Sequence, residues 1–277
     1  MKPVRFLHIP KTAGSTFTAI LNRQYAVGGT FSFSGSFSGD YSDIKRFEAL
    51  SENEKRDILL FSGHAPIVSG VKAADEATTI TFLRNPISRV KSFCQHVSEG
   101  KSSHLVKDFP PDNFNLDAFL ESGNLELTNF QTRMLVCNPT NLGIPWQLND
   151  ALASRLKEEA LENLFNKISH FGIQEYFDES LIIFSLAFGW EMPLYVSANT
   201  MNTKKRIRFE KRHLERIAEL NALDMAVYMC AKERFIYKLA SSAFSKEKLR
   251  QFQFINKIYK HTVRPRNLFR RLFRFAT

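Results

Sequence analysis

Lys11, Arg84 and His64 are the residues from which a reaction can be built. Lys11 lies in Pro10-Lys11-Thr12-Ala13-Gly14-Ser15-Thr16, between a β-like run and a helical pattern. A cation, a glycine that lets the backbone come close, and two hydroxyls opening a helix are the ingredients of an anion-binding loop. A helix N-terminus directs N–H groups and positive dipole at whatever sits there. The order is not that of a Walker A loop, where Lys directly follows the last Gly; here Lys11 precedes Gly14. The bland alternative is an ordinary tight strand-to-helix turn. Arg84 ends a second apolar run, in Phe82-Leu83-Arg84-Asn85-Pro86, and its planar fork of donors suits phosphate oxygens. Ser92 follows eight residues later, on a helix that Pro86 is placed to open. Histidine suits proton transfer near neutral pH. His64, in Phe61-Ser62-Gly63-His64, comes just past a strand, at the end where open α/β sheets gather their sites. His8 sits inside the first motif, with a ligand contact and a structural role both open. His104, in an irregular loop, is a secondary base. His96, His170, His213 and His261 read as structural or surface residues, and Arg89 and Lys91 as members of a solvated helix face.

The elements that must position these residues are short. Strands are expected over Pro3–Ile9, Ile58–Ser62 and Thr78–Leu83, with another near His170–Ile173. Ile58–Ser62 and Thr78–Leu83 are each a brief apolar run of the kind buried on both faces of a parallel sheet. Residues 27–43, rich in Gly, Ser and Phe, read as a loop or a small hairpin. Residues 98–115, with Pro110-Pro111, read as an irregular loop. Helical patterns cover 17–25 and 86–98, then 116–121, 124–135, 149–167, 175–188 and 211–243. Few strands among many helices make an α/β layered domain.

Two of these motifs together resemble a known family. Phe6-Leu7-His8-Ile9-Pro10-Lys11-Thr12-Ala13-Gly14-Ser15-Thr16 resembles the 5′-phosphosulfate loop of sulfotransferases that use 3′-phosphoadenosine-5′-phosphosulfate, and is nearest the carbohydrate 2-O-sulfotransferase branch. Thr81-Phe82-Leu83-Arg84-Asn85-Pro86-Ile87-Ser88-Arg89-Val90-Lys91-Ser92-Phe93 resembles the same family's 3′-phosphate motif, in which an Arg and a Ser grip that phosphate. Weaker similarity continues through Asn129–Arg133, Phe171–Leu181 and Leu220–Phe235, so that roughly residues 1–240 are covered. The resemblance implies a P-loop-like three-layer fold and sulfuryl transfer to a hydroxyl, with a carbohydrate as the expected acceptor. Lys11 would stabilise the leaving group and His64 would act as base. Lys11, Thr12, Ala13, Gly14, Ser15, Thr16, Arg84 and Ser92 would hold the cofactor, whose spent form is adenosine 3′,5′-bisphosphate. No metal is expected. Thr203-Lys204-Lys205-Arg206 lies about where relatives complete the cofactor site. Ser62 stands where some polysaccharide enzymes carry a second histidine, so their sugar specificity does not carry over.

Charge divides the chain. Of 277 residues with a net charge of +10, the segment from Ser245 to Thr277 holds ten basic residues against one acid. The expected organisation is therefore a near-neutral catalytic body, residues 1–244, and a basic tail, residues 245–277. Leu268, Phe269, Leu272 and Phe273 with Arg270, Arg271 and Arg274 pattern a short basic amphipathic helix after Pro265. Such a helix can dock on the body, meet an anionic membrane, or attract an anionic partner. An apolar fraction of 44% excludes a disordered chain, and three cysteines are too few for a disulfide framework. With no apolar leader and no run of about 20 apolar residues, a cytoplasmic protein is expected, at most peripheral on the inner face of a membrane. The expected partner is a glycan or glycolipid acceptor; nucleic acid is not expected. The rival activities are a nucleotide kinase or ATPase, and a non-enzymatic basic binding module.

Overall fold

The computed structural model describes residues 2–34, 42–136, 148–197, 206–241 and 246–273, with side chains in the last stretch as far as Val263. Five strands, β1 (Val4–Leu7), β2 (Gly29–Phe33), β3 (Ile58–Gly63), β4 (Thr78–Leu83) and β5 (His170–Ile173), form one sheet in the order β2-β3-β1-β4-β5. Every pairing is parallel, with Phe6 opposite Ser62 on one side and Ile80 on the other. Parallel sheets need cover on both faces. Accordingly β1 is buried at all four positions, Arg5 included. The Arg5 guanidinium meets Asp75 at 2.7 Å and the Ile67 carbonyl at 2.6 Å, which ties β1 to the segment after β3.

The cover comes from helices: α1 (Gly14–Gln24), α2 (Ser42–Glu48), α3 (Glu52–Asp57), α4 (Lys72–Asp75), α5 (Pro86–Ser98), α6 (Leu116–Leu120), α7 (Phe130–Val136), α8 (Asp150–Glu162), α9 (Phe177–Phe188), α10 (Lys211–Leu220), α11 (Ala222–Ser241) and α12 (Lys246–Phe273). The chain is thus an α/β domain with an all-parallel central sheet flanked by helices. Among the described residues, no helix is long and apolar enough to cross a membrane.

Four of the strands lie where the apolar runs placed them. The fifth corrects the reading of 27–43 as a loop or hairpin: residues 29–33 are a parallel edge strand. Phe31 and Phe33 point into a cluster with Phe47 and Phe61, while Thr30 and Ser32 face solvent. Two continuous helical readings are also corrected. The stretch 124–135 breaks at Asn129, whose φ is +47°, and 211–243 breaks at Asn221. The two asparagines make one joint. Asn129 N–H donates to Asn221 Oδ1 (3.1 Å), and Asn221 Nδ2 donates to the Leu127 and Ile217 carbonyls.

The basic segment is helical from Lys246, not only beyond Pro265, and its near half is seated on α9. Phe252 and Asn256 are buried. Asn256 Oδ1 accepts from Tyr195 N–H (2.8 Å), Gln253 Nε2 donates to Asp178 Oδ2 (3.2 Å), and the Lys260 ammonium lies 4.3 Å from the Tyr195 ring centre. The pattern around Leu268–Phe273 lies outside the described side chains.

Candidate active site

Connections diverge at the carboxyl end of the sheet. β1 leads through α1 to β2 on one flank, whereas its neighbour β4 leads on to β5 at the other. Adjacent strands whose connections part in this way leave a crevice, and ligands in open α/β sheets bind there. The loops after β1 and β4 meet across it: Arg84 Nη1 donates to the Lys11 carbonyl at 3.0 Å. A cavity of about 1760 Å³ opens at this point, lined by Lys11, Ala13, Gly14, Ser15, Thr16, His64, Arg84 and Ser92 together. Thr12 stands apart from them. It is fully buried, and its hydroxyl donates to the Ile9 carbonyl (2.8 Å), tightening the turn from within.

The loop is strained. Lys11 and Ala13 both have positive φ, +69° and +73°, where side chains other than glycine cost free energy and where functional sites cluster. Ala13 caps α1 without a side-chain hydrogen bond, and the first turn of α1 contains no acid. A helix end of this kind, with no side-chain cap and no acid, can receive an anion. Gly14 is required by its neighbour, since a Cβ there would lie 1.6 Å from His8 Nε2. The His8 ring fills this space as a spacer, stacked on Phe6 at 5.1 Å and 4.2 Å from the His64 ring. Burial, then the nearby His64 and Lys11, push His8 down to about 3, so it stays neutral.

His64 is aimed by backbone. Gly63, at φ +134°, packs so tightly that a Cβ would sit 2.6 Å from the Phe33 carbonyl, and its own carbonyl accepts from His8 N–H (3.1 Å). His64 Nδ1 lies 2.8 Å from the His8 carbonyl oxygen. A carbonyl can only accept, so Nδ1 carries the hydrogen and the lone pair of the neutral ring is on Nε2. Burial holds His64 below its ordinary range, opposed by that hydrogen bond and by Glu126. The ring is an unprotonated base at neutral pH. Lys11 is pushed down to about 8, first by burial and then by Arg84 and Lys101, with Glu99 and Glu126 opposing. Cations crowded into a buried crevice mark a place that favours an anion.

Arg84 is held at both ends of its peptide by one side chain. Its N–H donates to Gln131 Oε1 (2.9 Å), and Gln131 Nε2 donates to its carbonyl (2.8 Å). Asn85 N–H donates to Glu175 Oε1 (2.9 Å), and Asn85 Oδ1 caps α5 by accepting from Ser88 N–H. Arg84 Nε is buried and has no hydrogen-bond partner among the described residues. Gln131 is itself placed by Asp224, which accepts from Gln131 N–H (3.0 Å), Thr132 N–H (2.7 Å) and the Thr132 hydroxyl (2.7 Å). In the sequence this brace shows only as the polar Asn129–Arg133 stretch of weak similarity.

Other readings change. Arg89 is not on a solvated face; it is fully buried, with its guanidinium donating to the Glu126 carbonyl and 5.5 Å from the Phe130 ring centre. Lys91 does border the cavity, 5.2 Å from the Phe209 ring centre. His96 is no mere surface residue, since it lines the cavity and is pushed down to about 4 by burial and by Lys11. Ser88, Ser92 and His96 run down α5 at helical spacing, with Glu99 at its C-cap, so one face of that helix forms a wall. His104 is 3.4 Å from Glu126 at the far end. Arg206 lines the cavity, while 203–205 lie outside the described residues. No protein-family model matches the chain, and no curated protein matches it.

Proposed function

We propose that this protein is a P-loop-like sulfotransferase that moves a sulfuryl group from 3′-phosphoadenosine-5′-phosphosulfate to a hydroxyl of a glycan or glycolipid. The observation that carries this reading is the convergence of Lys11, His64 and Arg84 on one cavity from three adjacent strand ends. The residues suit the donor. Arg84 Nε is a buried donor in need of an acceptor, and the acid-free start of α1 and two strained residues cradle an anion. Bound there, the donor supplies a sulfuryl group on an anhydride to phosphate. Arg84 and Ser92 hold the 3′-phosphate, and the N–H groups opening α1 face the 5′-phosphate. His64 Nε2 takes the acceptor's proton as its oxygen bonds to sulfur. Lys11 stabilises the charge left on the bridging oxygen as its bond to sulfur breaks.

Adenosine 3′,5′-bisphosphate should stabilise the protein against heat and Mg-ATP should not; the reverse result favours a kinase or ATPase. Labelled sulfate should then be transferred to members of a glycan and glycolipid panel, phenols and peptides serving as contrast. Arg84→Ala should weaken bisphosphate binding about 10–100-fold in calorimetry, as expected for hydrogen bonds to a charged group. Unchanged binding would remove Arg84 from the site.

For α12 we propose contact with an anionic membrane, on its cytoplasmic face. Phe254 and Ile258, 66% and 49% exposed, stand one helical turn apart on α12, a helix rich in Lys and Arg. Co-sedimentation with phosphatidylserine vesicles, lost with phosphatidylcholine alone or after Phe254→Glu, is the expected result. Equal behaviour with both lipids would rule the contact out.

A further inference from the structure

We infer, resting on the sulfotransferase reading, that Gln131 and Glu175 are positioning residues for the donor: acting through Arg84, they let the site select a nucleotide that carries a 3′-phosphate over one that lacks it. The backbone explains why such residues are needed. The β4–β5 pairing ends with Leu83 opposite Ile173, and the β1–β4 pairing already ends at Thr81. The Arg84 peptide groups therefore lie beyond both ladders, at a half-buried position where they need partners. Gln131 supplies what a neighbouring strand would. Its Oε1 accepts from Arg84 N–H (2.9 Å) and its Nε2 donates to the Arg84 carbonyl (2.8 Å). Glu175 takes the next group, Asn85 N–H (2.9 Å). Three successive main-chain groups at the strand end are thus held by two side chains distant in sequence. Each holder is itself held. Gln131 is buried, and its own N–H donates to Asp224 (3.0 Å). Glu175 is exposed, but its second oxygen accepts from the Tyr228 hydroxyl on α11 (3.1 Å).

The guanidinium end is fixed as well. Arg84 Nη1 donates to the Lys11 carbonyl, which leaves the edge carrying Nε and Nη2 for a ligand, and Nε is buried without a partner among the described residues. That edge offers two parallel N–H donors, the pattern that meets two phosphate oxygens at once. Such two-point contact tolerates little rotation. A fork aimed in advance by its own backbone binds better than one that must be ordered by the ligand. Among the described residues that line the cavity, neither Gln131 nor Glu175 appears. Their effect on a ligand therefore passes through Arg84.

The test is calorimetry on the full chain with adenosine 3′,5′-bisphosphate and with adenosine 5′-monophosphate. The parent should prefer the bisphosphate; a parent without that preference would sink the sulfotransferase reading, and the positioning roles with it. Gln131→Leu and Glu175→Ala should each lower bisphosphate affinity about tenfold and leave monophosphate affinity unchanged. Glu175→Gln, which can still accept from Asn85 N–H, should restore most of the loss. In an Arg84→Ala background neither substitution should lower affinity further, because the residue they aim is gone. With the parental preference present, three results would overturn the positioning roles alone: variants that keep it undiminished, equal losses for both nucleotides, or losses that add in full to that of Arg84→Ala. Should Gln131→Leu fail to fold, Glu175→Ala, at an exposed position, carries the same test.

Discussion

His64→Ala is expected to lower sulfuryl-transfer turnover by roughly 10²–10⁴-fold, the usual effect of removing a general base. Adenosine 3′,5′-bisphosphate should bind the variant almost as well as it binds the parent, because in the proposed reading His64 meets the acceptor, while the phosphates are held from the loops after β1 and β4. The pH profile gives an independent reading. His64 must be neutral to take a proton, so kcat/KM should fall as pH drops through its pKa. Burial moves that limb below the ordinary 6.5. Lys11 must be charged to stabilise the leaving oxygen, so kcat/KM should also fall as pH rises through about 8, the value to which burial and Arg84 bring it. In the alanine variant the acid limb should vanish while the alkaline limb stays. Near-parental turnover in His64→Ala, or an acid limb that survives it, would take the base role away from this residue.

The second large effect is on stability. Asp224→Ala should cost about 3–5 kcal/mol in denaturant unfolding, the range for removing one member of a buried charged arrangement. Asp224 is buried, and its carboxylate accepts from two backbone N–H groups and a hydroxyl at the start of α7. It is also the leading negative charge acting on buried Arg89, two of whose nitrogens have no hydrogen-bond partner among the described residues. Alanine would strand three donors and leave Arg89 without that counter-charge. A loss below about 1 kcal/mol, the worth of one ordinary hydrogen bond, would show that the network is dispensable. Because Gln131 is the intermediary, any variant still folded should also hold Arg84 less firmly.

What the sequence made legible divides along physical lines. The strand Thr78–Leu83 lies at the expected residues because a strand buried on both faces announces itself as a short apolar run, and the edge strand His170–Ile173 also lies where it was expected. The motif residues after β1, β3 and β4 were readable because glycine, proline and charge interrupt those runs abruptly. β2 was not, since its glycine and serine content signals a turn more strongly than its alternation of Phe with Thr and Ser signals a strand. Asn129 and Asn221 break their helices through a bond to each other across 92 positions, a tertiary cause that no local window contains. Arg89 and His96 fail for the same reason. Their helix pattern permits a solvent-facing reading, and only the packing of Glu126, Phe130 and Lys11 around α5 withdraws it.

Tyr195 belongs at once to the cavity wall and to the seat of α12. Its N–H is held by Asn256 and its ring lies beneath Lys260, while its hydroxyl donates to Asp178 (2.8 Å), which Gln253 also engages. Any ligand that presses on Tyr195 and any partner that draws on α12 would thus act on the same residue. Linkage then makes their influence mutual: the factor by which an occupied cavity changes the seating of the helix equals the factor by which the seated helix changes affinity in the cavity. Truncation of the basic segment removes a buttress of the binding wall as well as a block of positive charge.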